Sequence, residues 1–193
     1  MSLILIHDKV TLRPMRELDI ERLWKLTTPE TFRFMVNQIQ TIEEFEKWMG
    51  TGYEQMQSSN ETIVFVVAHS ETDELFGSTR IYNIDHVNKT CEIGSTYYGK
   101  SYRRSHVNTT AKWLLLNYAF ETLGMIRVQF KTDEENLISQ KAIERIGAIK
   151  EGILRNERIR STGNPRNAVV YSIVHTEWST IKNKLTQMMN IYS

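Results

Sequence analysis

"YRRSHVNTTAKWLLLNYAFETLGMIRVQFKTD", residues 102–133, decides how the chain is organised. Within it, Ala111, Leu114, Leu115, Tyr118 and Ala119 recur at helical spacing, with further apolar residues nearly all round, and this predicts a buried helix over 109–123. Asn108 or Thr109 is the expected N-cap, and Gly124 the C-terminal stop. "MIRVQFKTD" (125–133) then reads as a strand, and "CEIGSTYY" (91–98) before the helix reads as another. Strand, helix and strand together predict a parallel crossover.

Around this unit the pattern is antiparallel. "VTLRPM" (10–15) alternates like a strand and stops at Pro14. "ETIVFVVAHS" (61–70), "LFGSTRIYNID" (75–85) and 91–98 are spaced closely enough for a meander. "AIKEGILRNERIR" and "NAVVYSIVHTEW" flank the turn residues "STGNPR" and predict a long hairpin, followed by an amphipathic helix from about residue 176. Two helices precede the meander: "ELDIERLWKLT" (17–27), with Leu18, Leu23, Trp24 and Leu26, and "TIEEFEKWMGTGYEQMQ" (41–57). The second opens on Thr41 and Glu44, a capping-box pair, and carries an apolar face of Phe45, Trp48 and Met49. "NLISQKAIERIG" (136–147) predicts one more helix, with Ile138, Ala142, Ile143 and Ile146 toward the core. The expected fold is α+β, with one mixed, mostly antiparallel sheet of about seven strands flanked by helices.

The 193 residues suit a single domain over 1–193, with no linker or repeat to divide it. Net charge is +1, so no global basic field recruits nucleic acid or anionic lipid. There is no signal-peptide pattern and no apolar run of membrane-spanning length, which makes a cytoplasmic location the default. The single cysteine, Cys91, rules out an internal disulfide framework and reads as a buried, inert thiol. The five histidines lack ligand spacing, so no metal is expected. P-loop, dinucleotide and nucleophile-elbow motifs are absent.

Chemistry is expected where Arg103 and Arg104 lead into the crossover helix. Cations are unfavourable beside the free N–H groups of a helix N-terminus unless an anion joins them there. Such a terminus binds phosphate readily, and arginines add charge-assisted hydrogen bonds. The strand ends of a crossover are also where open sheets bind ligands.

Three stretches, "EIGSTYY", "VNTTAKWLLLNYAFETLGMIRVQFKTDEENLISQKAIERIGA" and "KEGILR", carry a specific likeness. From "LRPM" at 12–15 to "EW" at 177–178 the chain resembles the GNAT superfamily of acyl-CoA N-acyltransferases, in its RimJ/RimL branch of ribosomal-protein N-terminal acetyltransferases. The resemblance implies acetyl-CoA as co-substrate. Its pyrophosphate would lie on the loop and helix start formed by Arg103, Arg104, Ser105, His106, Val107, Asn108 and Thr109. His106 and Asn108 stand where the family motif [QR]-x-x-G-x-[GA] has small residues, and glycine there would allow closer backbone approach. The resemblance further implies a splayed strand whose backbone near Thr96 and Tyr97 holds the pantetheine and the acetyl carbonyl. In "NLISQKA", Asn136 would bond the cofactor arm and Ser139 would protonate the leaving thiolate; read alone, the two are a helix cap and a first-turn polar residue.

Direct transfer to an amine needs a base, and Glu92 is the candidate, against the alternative of an outward-facing strand glutamate. Arg155, Arg158, Arg160 and Arg166 on the hairpin could meet an acidic acceptor or simply be solvated. The implied activity is acetylation of a primary amine, on a protein N-terminus or a small molecule, by a protein able to form a homodimer. The rival reading is a non-catalytic module that binds coenzyme A or a protein.

Overall fold

The computed structural model describes residues 3–190. Strands β1 (Leu5–His7) and β2 (Val10–Pro14) lead to helix α1 (Asp19–Trp24), a 3-10 turn at Pro29–Phe32 and helix α2 (Ile42–Ser58). Strands β3 (Ile63–His69), β4 (Leu75–Asp85) and β5 (Thr90–Tyr98) form the meander. Helix α3 (His106–Asn117), strand β6 (Arg127–Asp133) and helix α4 (Leu137–Arg145) follow. Strands β7 (Ile149–Ile159) and β8 (Pro165–Val174) make the hairpin, and helix α5 (His175–Asn190) closes the described chain. The sheet order is β1-β2-β3-β4-β5-β6-β8-β7. Every neighbouring pair is antiparallel except β5 and β6, the parallel pair that the crossover creates.

The sheet buries both faces, and β3 shows how. Phe65 and Val67 join the core under α3 and α5, while Val64, Val66 and Ala68 join the core under α1 and α2; all five are fully buried. A strand covered on both sides has no need of polar alternation, which explains its continuous apolar run. Helix α3 supplies Val107, Ala111, Leu114 and Leu115 to the first core, and α2 supplies Phe45 and Met49 to the second. The capping box forms: Thr41 Oγ1 accepts from the Glu44 N–H at 3.3 Å, and Glu44 Oε2 accepts from the Thr41 N–H at 3.3 Å.

The mixed, mostly antiparallel sheet is the expected one; its eighth described strand is "LIH", which pairs with β2 across a turn where Asp8 takes φ +50°. Three local expectations need correction. Ser105, not Asn108 or Thr109, is the N-cap of α3: its Oγ accepts the Val107 N–H at 3.3 Å. Arg104 lies in the left-handed region with φ +60°, so Ser105 is the extended residue from which the helix departs. The helix then turns π-helical over Tyr118–Thr122 before Gly124, at φ +66°, ends it. Finally, Ile138 is 80% exposed, so it does not belong to the core.

Candidate active site

Strands β5 and β6 run side by side only briefly. Their ladder pairs Thr90 with Arg127, Cys91 with Val128 and Glu92 with Gln129, and then stops. Beyond that point β5 continues along β4 to Tyr98, while β6 continues along β8 to Asp133. The two strands therefore diverge into a wedge inside the sheet. A local irregularity drives the divergence: Ser95 takes φ +49°, and the β4–β5 register shifts between Ser78 and Arg80. Such a bulge bends its strand. Gly94 has no Cβ because the Tyr82 hydroxyl occupies that space, 2.5 Å from where a Cβ would stand.

The wedge opens toward the C-terminal ends of two parallel strands, each followed by a helix. Both helix N-termini therefore gather at its mouth, with free N–H groups that favour an anion. At α3, Ser105 Oγ caps the helix and donates to the Tyr102 carbonyl at 2.7 Å. Arg103 and Arg104 are exposed. Arg103 Nε donates to the Tyr98 carbonyl at 3.0 Å, and its Nη2 to Thr31 Oγ1 at 3.4 Å, so the arginine spans the wedge strand and the 3-10 turn before α2. His106 and Asn108 are half-buried, and the Val107 side chain lies in the core. Thr109 is buried and accepts from Arg145 Nη1 at 2.9 Å, which brings a third arginine from α4 to the start of α3. At α4, Asn136 Oδ1 accepts the Ser139 N–H at 3.0 Å, the capping bond that Asn136 suggests when read alone. Ser139 is half-buried.

Glu92 sits at the closed end of the wedge. It is 2% exposed, so it is no solvated strand glutamate. Oε1 accepts from the Tyr82 hydroxyl at 2.7 Å, and Oε2 from Gln129 Nε2 at 3.0 Å, with Lys131 Nζ 3.3 Å away. Burial and the Glu92 charge push the Tyr82 phenol well above its ordinary value, so Tyr82 remains a donor. Lys131 also reaches Glu157 at 3.2 Å, which links the wedge to β7.

Thr96 and Tyr97 point their side chains to opposite faces. Thr96 Oγ1 bonds Thr79 Oγ1 at 2.7 Å and accepts from Lys112 Nζ at 2.8 Å. The Tyr97 ring packs with Phe32, Phe45 and Trp48 under α2. Of the hairpin arginines, Arg155 and Arg158 are exposed, Arg158 pairing with Glu157 at 3.2 Å; Arg160 pairs with Asp133 and Arg166 also with Glu157. Cys91 is buried, and burial pushes its thiol up to about 12.

Lys112 escapes the motif reading, although a lysine inside "TAKWLLL" is itself a signal, since buried helices seldom carry an isolated charge. It is 7% exposed, its ammonium lies 5.9 Å from the Phe130 ring centroid, and no carboxylate pairs with it among the described residues. Burial lowers it to about 7.

Residues 9–149 match the profile of the acetyltransferase (GNAT) domain. This chain belongs to the GNAT acetyltransferase family. YdaF of Bacillus subtilis (strain 168), provisionally named a ribosomal N-acetyltransferase, is 27% identical over 187 residues, which cover 90% of this chain and 95% of YdaF. The solved GCN5-related N-acetyltransferase of Brucella melitensis superposes with a TM-score of 0.86 at 26% identity, over 98% of this chain and 86% of that one. The fold also matches spermidine N-acetyltransferase of Vibrio cholerae, solved with CoA and spermine, with a TM-score of 0.73 at 18% identity, over 89% of this chain and 98% of that one.

The likeness to the RimJ/RimL branch extends to a relative of ribosomal name, and the GNAT chain is an acetyl-CoA-dependent acetyltransferase. The β5 edge beyond Glu92 has no ladder partner on the β6 side among the described residues. Among the described residues no cluster could hold a metal ion, and no helix is long and apolar enough to cross a membrane.

Proposed function

We propose that this GNAT enzyme acetylates a primary amine by direct attack on acetyl-CoA within the wedge. Arg103, Arg104 and the first N–H groups of α3, from Ser105 to Thr109, hold the pyrophosphate at the wedge mouth. The β5 edge near Thr96 and Tyr97 and the Asn136 side chain orient the pantetheine arm. Acetyl-CoA supplies the activated acyl group, and a backbone N–H of β5 stabilises negative charge on the carbonyl oxygen as it develops.

The acceptor arrives as an ammonium and has no lone pair until it loses a proton. Glu92 takes that proton, directly or through water, while Tyr82 and Gln129 hold the carboxylate oriented. Ser139, at the opposite helix start, returns a proton to the leaving sulfur. The reading is carried by one observation: the β5–β6 ladder stops at a buried carboxylate, and two helix N-termini face the gap beyond.

The test has two stages. A ligand at about 100 times its dissociation constant stabilises a fold by roughly 2.7 kcal/mol, so acetyl-CoA is expected to raise the melting temperature clearly, and ATP not to. Thiol release is then followed with a panel of amino acids, polyamines and peptide N-termini. Glu92→Gln and Ser139→Ala are expected to lower kcat by ~10²-fold or more and to leave the acetyl-CoA shift in place. Acetyl-CoA binding without thiol release from any amine overturns the catalytic reading in favour of a binding module.

A further inference from the structure

Among the described residues, Arg80 is a buried cation without a counter-ion. It lies on β4 opposite Gly94, at the wedge, and is 8% exposed. Nη2 donates to the Trp48 carbonyl at 3.3 Å and to Met49 Sδ at 3.5 Å, while Nε is buried with no hydrogen-bond partner among the described residues. The guanidinium carbon stands 4.3 Å from the Trp48 ring centroid, and Gly52 of α2 leaves it room: a Cβ there would come within 2.6 Å of Nη1. Arg166 also has an unpartnered buried Nε, but other buried arginines have a carboxylate. Arg13 has Asp19 and Asp73, and Arg166 has Glu157. Burial lowers Arg80 to about 10, and no carboxylate offsets it; the groups close enough to act on its charge are Tyr97 and Tyr82. The Tyr97 hydroxyl is also buried and unbonded.

An uncompensated buried charge is destabilising, and two unmet donors whose side chains both pack against Trp48 point to a missing acceptor. We propose that Arg80 and the Tyr97 hydroxyl form a carboxylate-binding subsite for the acceptor, so that the amine acetylated here belongs to an amino-acid-like amino-carboxylate. This rests on the amine-acetylation reading above. The ladder sets the geometry. Arg80 pairs with Gly94 and Tyr82 with Glu92, so the backbone positions of Arg80 and Glu92 lie on one face, one same-face step of roughly 7 Å apart along the strands. An ammonium directed to Glu92 and a carboxylate directed to Arg80 fit one small molecule with a few bonds between its charges. The planar fork of a guanidinium suits a planar carboxylate, and Tyr97 supplies a further donor. A polyamine would bring a second cation to Arg80 and is disfavoured.

The decisive experiment compares paired acceptors, each amino acid against its amide and its decarboxylated amine, on wild type, Arg80→Met and Arg80→Lys. Wild type is expected to favour the acids by at least roughly tenfold in kcat/KM, as expected for a charge-assisted bond. Arg80→Met loses the preference while acetyl-CoA binding is unchanged, and Arg80→Lys recovers part of it. Without ligand, Arg80→Met melts at or above the wild-type temperature, which a merely structural arginine would not permit. Equal rates for acid and amide in the wild type, or an intact preference in Arg80→Met, overturns the subsite. Should no amine be acetylated, the proposed reaction fails separately, and the subsite is decided by stabilisation with acetate: present in wild type and absent in Arg80→Met supports it, and its absence from wild type overturns it.

Discussion

At the scale of single residues, burial rather than sequence pattern sets the unusual chemistry. Lys112 illustrates the sign of the effect. Held at about 7 in the fold, it binds less proton than an unfolded lysine, at ~10.4, throughout the interval between them. Stability therefore rises with pH across that window, by up to ~1.4 kcal/mol per unit, and the benefit is lost as pH falls to about 7. Lys112→Met is expected to be more stable than wild type at pH 6–7, and the gap should close toward pH 10; urea denaturation across the range measures it. Glu92 was legible as a candidate from "CEIGSTYY", but its partners were not. Gln129 and Lys131 come from a strand more than thirty residues away, and only the parallel ladder brings them to it. Arg80 gave no motif signal, since what distinguishes it is a counter-ion that is missing in space.

At the scale of elements, the loop before α3 solves without glycine what glycine usually provides. The left-handed turn falls on Arg104, at a conformational cost of about 1–2 kcal/mol. A left-handed arginine is reasonable where its charge has a task at the helix start. Arg103→Ala combined with Arg104→Gly keeps the turn and removes both charges, and is expected to raise the acetyl-CoA dissociation constant roughly tenfold or more. Calorimetric titration reads this directly; an unchanged constant would leave the pyrophosphate to the backbone alone. The helices were legible through their periodicity, and Gly124 and Gly147, both at positive φ, end α3 with its π turn and α4 as their positions suggest. The start of α3 was misplaced by three residues because Ser105, Asn108 and Thr109 are all competent caps. The choice was made by Arg104, whose turn precedes Ser105 and no other.

At the scale of the whole molecule, α1 and the segment before α2 depend on contacts between segments far apart in sequence. Arg13 grips Asp19 with two bonds, at 2.6 and 2.8 Å, and reaches Asp73 at 2.9 Å; Arg22 joins Asp73 at 3.0 Å. Asp19 is fully buried, and its loss would leave Arg13 buried with only Asp73. Asp19→Ala is expected to cost about 3–5 kcal/mol, and Arg13→Met with Asp19→Leu to regain most of it; chemical denaturation checks both. On the other side, the segment before α2 clasps the hairpin tip: the Ser161 N–H donates to the Val36 carbonyl at 3.0 Å, and Ser161 Oγ accepts the Gln38 N–H at 3.0 Å.

The sequence by itself determined the strand and helix pattern, the crossover and the candidate residues at both helix starts, because periodicity and cap chemistry act over a few neighbouring residues. Only the tertiary structure decided where β5 leaves β6, which charges are paired and which are left alone. Those outcomes depend on register and burial between distant segments, and local sequence carries no record of a partner that folding has yet to supply.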